Sequence, residues 1–191
     1  MIVIQERDQA IKEFLIEVGI SDTKTLHTLF FTNTSMRNAQ KRLSQLVSIR
    51  FIKAYRENVI SQNVYYVRQK PKNIAHKIIF SRLLGELKRQ DIEVLKYKCP
   101  YKISDVISDG LIVIRIKNQV KIYFCEGEIS KKLDIAKYEQ LFYSSAYKEK
   151  FPVMPSILCI TDKKQETEHE VLDIKTCKLD FSDFKGDLLY F

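Results

Sequence analysis

Apolar and polar positions follow a helical period through the first half of the chain and a strand period through the second, with the change near residue 90. From Gln5 to Val18 the apolar residues Ala10, Ile11, Phe14, Leu15 and Val18 recur at three- and four-residue steps, with Glu6, Lys12, Glu13 and Glu17 opposite them. That spacing predicts an amphipathic helix, which Gly19 stops. Ser21, Asp22 and Thr23 supply caps for a short second helix, Lys24 to Phe31, burying Leu26, Leu29 and Phe30. A polar turn from Thr32 to Ser35 leads into a third helix, capped by Thr34 or Ser35 and starting near Met36, with Ala39, Leu43, Leu46, Val47 and Ile49 on one face. Phe51 to Arg56 and Val64 to Arg68 are β-branched and aromatic, and predict two strands joined by a loop, Glu57 to Asn63, too long for a tight turn.

Lys70, Pro71 and Lys72 form a linker, because proline ends a strand and disfavours helix in the residue before it. Asn73 then caps a long helix to Gln90 that carries Ile74, Ile78, Ile79, Leu83, Leu84 and Leu87. Beyond it, Glu93 to Lys98, Gly110 to Ile116, Lys121 to Cys125 and Ser156 to Thr161 have strand patterns, with a turn at Asn118 and Gln119. Lys131 to Lys150 predicts a helix, and Val171 to Phe191 a strand followed by a tail whose Phe181, Phe184, Leu188, Leu189, Tyr190 and Phe191 dock on the body or on a partner. The expected fold class is α+β. Residues 1–70 have the order of a winged helix-turn-helix, and residues 71–191 form a small α/β domain, with the linking helix 73–90 laid on its sheet.

Charge singles out one part of this plan. Between Thr34 and Lys72 there are nine Lys or Arg and one acid, Glu57, for a net +8, which equals the net charge of the whole 191-residue chain. Concentration of that kind is the footprint of a polyanion site rather than of general solubility. The polar face of the third helix carries Arg37, Asn38, Lys41, Arg42 and Gln45, side chains able to donate to phosphates and to read base edges. Lys53, Arg56 and Arg68 on the ribbon, with Lys70 and Lys72 in the linker, are placed to lie along a phosphate backbone. The expected partner is nucleic acid, duplex DNA above RNA, bound by a homodimer.

Other classes are narrowed by what is missing. No run of eighteen apolar residues occurs, and Gln5 to Lys12 interrupts the opening apolar residues at once, so a cytoplasmic protein with no membrane association is expected. Cys99, Cys125, Cys159 and Cys177 are far apart, and His27, His76 and His169 are near none of them in sequence; reduced, mostly buried thiols are expected rather than a zinc site or a disulfide framework.

Candidate chemistry resides in Asp105, Asp109, Glu126 and Glu128. Asp109 opens one strand and Glu126 ends the next, so an antiparallel hairpin would bring them together, and Glu126 and Glu128, two apart, share a face. Carboxylates gathered at a strand end can hold magnesium and activate water against a phosphodiester, and a lysine from the following helix, which carries Lys131, Lys132 and Lys137, can neutralise charge on a phosphate. The bland alternative is a salt-bridged cluster with no chemistry.

Ser-Asp-Gly-Leu-Ile-Val-Ile, Ile-Tyr-Phe-Cys-Glu-Gly-Glu-Ile-Ser and Lys-Leu-Asp-Ile-Ala-Lys-Tyr, following a winged-helix pattern and a helix containing His76, resemble the replication-relaxation proteins of plasmids and other mobile elements of Gram-positive bacteria over roughly residues 5 to 165. The resemblance implies a restriction-endonuclease-like fold for the second half, with Asp109 at the motif aspartate and Glu126 at the motif glutamate. The chain departs from that pattern at Glu128, where lysine is usual, and at Ser108, where proline is usual; Lys137 is the candidate replacement for the lysine. The resemblance thus implies a DNA-binding protein of mobile-element replication or its control, with a degenerate nuclease-like domain and no cofactor. Two alternatives stand beside it: a magnesium-dependent endonuclease using Asp109, Glu126, Glu128 and Lys137 with Asp109 and Glu126 as metal ligands, and a transcriptional regulator whose second domain senses a ligand.

Overall fold

The computed structural model describes residues 2–58, 61–72 and 74–189. The expected cap at Asn73 and the docking of Tyr190 and Phe191 lie outside these. The chain divides into two compact units, Met1–Arg89 and Gln90–Phe191.

In the first unit, helix α1 (Glu6–Val18) begins at a capping box in which Asp8 Oδ2 accepts from Gln5 N–H at 2.8 Å. It ends where Gly19, at a φ of 83°, turns the chain through a conformation that side chains resist. Strand β1 (Ser21–Asp22) follows, then α2 (Thr23–Phe30), α3 (Met36–Ser48), β2 (Lys53–Tyr55), β3 (Val64–Tyr66) and α4 (Ile74–Arg89). The three expected helices and the ribbon are present within a residue or two of their predicted ends. Strand β1 was not expected. It pairs antiparallel with β3, Ser21 opposite Tyr65, to make a sheet in the order β1-β3-β2. Ile11, Leu15, Leu26, Ala39, Leu43 and Leu46 are fully buried and form the core that the helical periods predicted.

The boundary expected after residue 70 moves to Arg89, because α4 packs on α1, α2 and β1. Its Gly85 makes the close approach possible, since a Cβ there would stand 3.1 Å from Thr25 Cγ2. Asp22 ties the helices further. Its Oδ1 caps α2 by accepting from Thr25 N–H at 2.8 Å, while its Oδ2 accepts from Arg82 Nε of α4 at 2.7 Å.

The second unit contains β4 (Glu93–Lys98), a hairpin of β5 (Tyr101–Ile103) and β6 (Val106–Ser108), β7 (Gly110–Ile116), β8 (Gln119–Glu128), α5 (Ile135–Tyr143), β9 (Ser156–Thr161) and β10 (Ile174–Cys177). The main sheet has the order β10-β9-β8-β7-β4. Its β4, β7 and β8 are antiparallel, while β8, β9 and β10 are parallel. Together with the first unit this is an α+β architecture.

The tight turn between β7 and β8 is Lys117–Asn118, one residue earlier than expected, and both residues have positive φ, as a two-residue hairpin loop requires. Strand β8 outruns its predicted end by three residues because β9 continues the pairing to Glu128 opposite Thr161. The long helix predicted from Lys131 to Lys150 is a loop, the nine-residue α5 and a separate helical turn at Ala146–Glu149. One face of the sheet packs Leu111, Phe124, Ile157, Cys159 and Ile174 against Tyr138 and Leu141 of α5. The expected docking of the tail is seen in buried Phe181, Phe184 and Leu189, with Tyr123 Oη donating to Leu189 O at 2.8 Å.

No helix among the described residues is long and apolar enough to cross a membrane.

Candidate nucleic-acid interface and acidic cluster

Helix α3 is held by a narrow stripe, Ala39, Leu43 and Leu46, each fully buried. At about 100° per residue, Arg37, Lys41, Ser44 and Ser48 fall on the far side of that stripe and Arg42 only roughly 60° from its centre. The side chains follow this geometry. Arg37, Asn38 and Lys41 are exposed, as are Gln40, Ser44 and Ser48. No acidic residue lies in the helix.

Arg42 is turned inward, and its expected place among the phosphate contacts is corrected. Its Nε donates to Asp8 Oδ1 at 3.1 Å, and its Nη2 donates both to Asp8 Oδ2 and to Val3 O, the latter at 2.7 Å. Asp8 is fully buried, so the fork of the guanidinium neutralises a charge that has no access to water. Burial alone would push the Asp8 carboxyl up, but the Arg42 guanidinium and the Gln5 N–H outweigh it and hold the group below the usual carboxylate range. Gln45 is drawn to the same flank: it is half-buried, and its Oε1 lies 3.4 Å from Arg42 Nη1.

The ribbon keeps its cations outside. Lys53, Arg56, Arg68, Lys70 and Lys72 are all exposed. Lys53 Nζ donates to Arg68 O at 2.9 Å and Arg56 Nε to Ser61 O at 2.6 Å, each using one of several N–H groups. Lys70 Nζ stands 3.8 Å from the centre of the Tyr55 ring, a cation-π contact that leaves the ammonium at the surface. With the boundary at Arg89, the first unit has sixteen Lys and Arg against seven Asp and Glu, a net +9, and the second has sixteen against seventeen, a net −1.

In the second unit Gly110 pairs with Cys125, which sets Asp109 beside Glu126 at the end of two neighbouring strands. Asp109 Oδ2 accepts from Gly127 N–H at 2.9 Å. Glu126 is buried, and its Oε1 accepts from Lys137 Nζ at 2.6 Å and from the Tyr138 hydroxyl. Lys137 donates also to Ile107 O at 3.1 Å. Burial pushes the Glu126 carboxyl up, and Lys137 and Tyr138 pull it only part of the way back. Three of the expected residues, Asp109, Glu126 and Lys137, are therefore brought together. Glu128 is half-buried and extends further along the same face. Asp105, in the exposed β5–β6 turn, and Lys131 and Lys132, exposed before α5, are not among the hydrogen-bond and ion-pair partners of Glu126 found in the described residues.

Tyr138 was not anticipated. Nothing in the linear pattern marks it, because one tyrosine on the buried face of a helix resembles any other core aromatic. Burial and the neighbouring Glu126 raise its phenol far above the ordinary range, so it stays a donor. Among the described residues no group of three or more His, Cys, Asp or Glu is arranged to hold a metal ion. Two carboxylates, one of them already neutralised by Lys137 and Tyr138, do not fit a built magnesium centre. The cysteines are free thiols; Cys125, Cys159 and Cys177 are buried, and burial with the nearby Glu128 and Glu126 pushes Cys159 up to about 12, which makes it a poor nucleophile.

No family model, curated protein or solved structure matches this chain.

Arg42→Ala should cost about 3 kcal/mol, the penalty for leaving a buried charge unpaired, and the double change Asp8→Leu with Arg42→Met should recover most of it in urea titrations. Because the folded Asp8 pKa is depressed, the stability that the pair supplies is present above about pH 4 and is lost on acidification, so the wild-type and Arg42→Ala curves should converge below that point. Lys137→Met should show the same sign of pH dependence, displaced to higher pH because the folded Glu126 pKa is raised rather than depressed. It removes a cation that holds the raised Glu126 pKa down, so the variant should nearly match wild type near pH 4 and fall behind as pH rises, by about 1–3 kcal/mol at pH 8. A pH-independent difference would mean that Glu126 is not ionised in the native state.

Proposed function

We propose that this protein binds duplex DNA through α3 and the β2–β3 ribbon, as a winged helix, in the replication of a plasmid or other mobile element or in its control. One observation carries the reading: the outward face of α3 and the ribbon present eight cationic or amide side chains, Arg37, Asn38, Lys41, Lys53, Arg56, Arg68, Lys70 and Lys72, all exposed, with no acid in α3. The order of three helices, a β1-β3-β2 sheet and a ribbon directly after α3 suits a helix that enters a major groove with a wing on the adjoining backbone. The link to mobile elements rests on the sequence resemblance.

The second unit fits a restriction-endonuclease-like layout in having Asp109 and Glu126 on adjacent strands and a lysine beside them, supplied here by α5. We read its chemistry as lost. Glu126 is buried and neutralised from within, and the unit serves docking or the pairing of subunits in a homodimer.

Replacing Arg37 and Lys41 together by alanine should weaken binding to a duplex at least tenfold at about 0.1 M salt and lower the slope of log K against log salt by about 2, near 0.9 for each phosphate no longer neutralised. Both side chains are exposed, so the melting temperature should not move; an unchanged slope would remove α3 from the interface. Incubation with supercoiled plasmid and magnesium or manganese should leave the plasmid intact. Nicking that disappears in Asp109→Ala would instead make the protein an endonuclease.

A further inference from the structure

Both lysine pairs of the second unit, Lys131–Lys132 and Lys163–Lys164, stand at one end of its sheet. The first pair lies in the loop after β8 and the second in the loop after β9, and these strands run parallel to a last register pair of Glu128 with Thr161. The loops are fastened together there. Thr161 Oγ1 donates to Glu128 O at 2.7 Å, and Leu133 N–H donates to Gln165 Oε1 at 3.1 Å. All four lysines are exposed, and none makes an ion pair among the described residues.

The carboxylates at the same end are used differently. Asp109 accepts from Gly127 N–H, Glu126 from Lys137 and Tyr138, and Asp162 from Leu179 N–H at 3.1 Å. Asp134 in the first loop and Glu166, Glu168 and Glu170 in the second are exposed as well, each following its lysine pair in the chain. The acids nearest the strand ends, Asp109, Glu126 and Asp162, are bonded within the unit, and the exposed ammonium groups that precede the outer acids on both loops suit an anion that runs across the two lysine pairs. The carboxyl ends of parallel strands are also where open α/β sheets receive ligands. A single phosphate would need one lysine pair; two pairs on adjoining loops match the repeated charge of a phosphodiester chain.

We propose that the loops 129–134 and 162–165 form a second nucleic-acid contact, in which Lys131, Lys132, Lys163 and Lys164 grip the phosphate backbone without reading its sequence. This rests on the nucleic-acid reading of the first unit but uses none of its residues, so the two can fail separately. The second unit then binds a backbone rather than cutting one. Flexible lysines supply affinity without base choice, since an ammonium is a point charge on a long stem.

Acetylation of lysines in the full-length protein by a small acylating reagent, with and without a 40-base-pair duplex, and read by mass spectrometry, tests both contacts at once. Protection of Lys131, Lys132, Lys163 and Lys164 by at least threefold supports the second contact, and protection of Lys41, Lys53 and Lys70 reports on the first. Protection of the four loop lysines with Lys41, Lys53 and Lys70 fully reactive overturns the first-unit reading alone. Protection of Lys41, Lys53 and Lys70 with the four loop lysines fully reactive overturns this inference alone; no protection anywhere overturns both. As a second measurement, the variant with all four loop lysines changed to alanine should lower the salt slope by about 2–4 with an unchanged circular dichroism spectrum. A slope equal to wild type overturns the contact even if the lysines are shielded.

Discussion

A carboxylate with no exposure to water cannot be left unmatched, and Asp8 of α1 is such a group. Its partner comes from α3, so the demand for a cation beside Asp8 fixes how α3 is turned about its axis. The apolar stripe of Ala39, Leu43 and Leu46 specifies a direction for the core but tolerates some rotation to either side. The fork between Arg42 and Asp8 removes that freedom, because a guanidinium meets a carboxylate in a plane. Once Arg42 is committed inward, Arg37 and Lys41 have only the outward side. The same guanidinium holds Val3 O, and the same carboxylate caps the Gln5 N–H, so the start of α1 and the flank of α3 are set by one buried charge pair.

Two further buried carboxylates follow the same rule with different consequences. Asp22 joins three elements, standing in β1, capping α2 and accepting from Arg82 of α4. That arrangement helps explain why the long helix belongs to the first unit. Glu126 is matched by Lys137 and Tyr138, both from α5, which fastens the helix to the end of β8. In each case a charge is enclosed by cations or donors from another element, which costs desolvation but leaves few alternative arrangements. What differs is the remainder. In the first unit the pairing leaves a surplus of cations on the surface, whereas in the second it takes up Glu126, one of the two carboxylates at the strand ends.

Periodicity made most of the elements legible, since Ala39, Leu43 and Leu46 or the run Gly110 to Ile116 can bury one face in few ways. It failed where long-range pairing decides. Strand β1 is two polar residues that become a strand only because β3 lies beside them, and β8 extends to Glu128 only because β9 pairs with it. The hairpin of β5 and β6 is too short to show a period. The domain boundary was misplaced because Pro71 marks a local break in the chain, while the packing of α4 is decided by Gly85 and Arg82, whose partners Thr25 and Asp22 are sixty residues away in sequence. Of the candidate site, the nearness of Asp109 and Glu126 was legible from strand order, while Lys137 was singled out only through the family resemblance. Arg42 was assigned to the wrong face because charge was taken as a sign of exposure, although its position next to Leu43 and four residues before Leu46 placed it at the edge of the core. Its partner, an aspartate thirty-four residues earlier, is not visible in any local pattern.

The inward turn of Arg42 bears on how selective the interface can be. On the proposed reading Arg37, Asn38 and Lys41, on the first turns of α3, would meet base edges, and each is able to make two bonds to one base. Three such readers would supply about 3–9 kcal/mol of discrimination, whereas specific complexes exceed non-specific ones by about 4–10 kcal/mol. One copy of α3 would therefore fall short of the upper part of that range even with all three contacts made. On the proposed reading the ribbon would not close the gap, because Lys53, Arg56, Arg68, Lys70 and Lys72 would touch backbone and add affinity to every sequence alike. Further selectivity would then have to come from a second reader at a fixed spacing, which the proposed homodimer would supply by placing two α3 helices on one duplex, and a sequence-blind grip by the second unit would lengthen the stay on DNA without changing the choice of site.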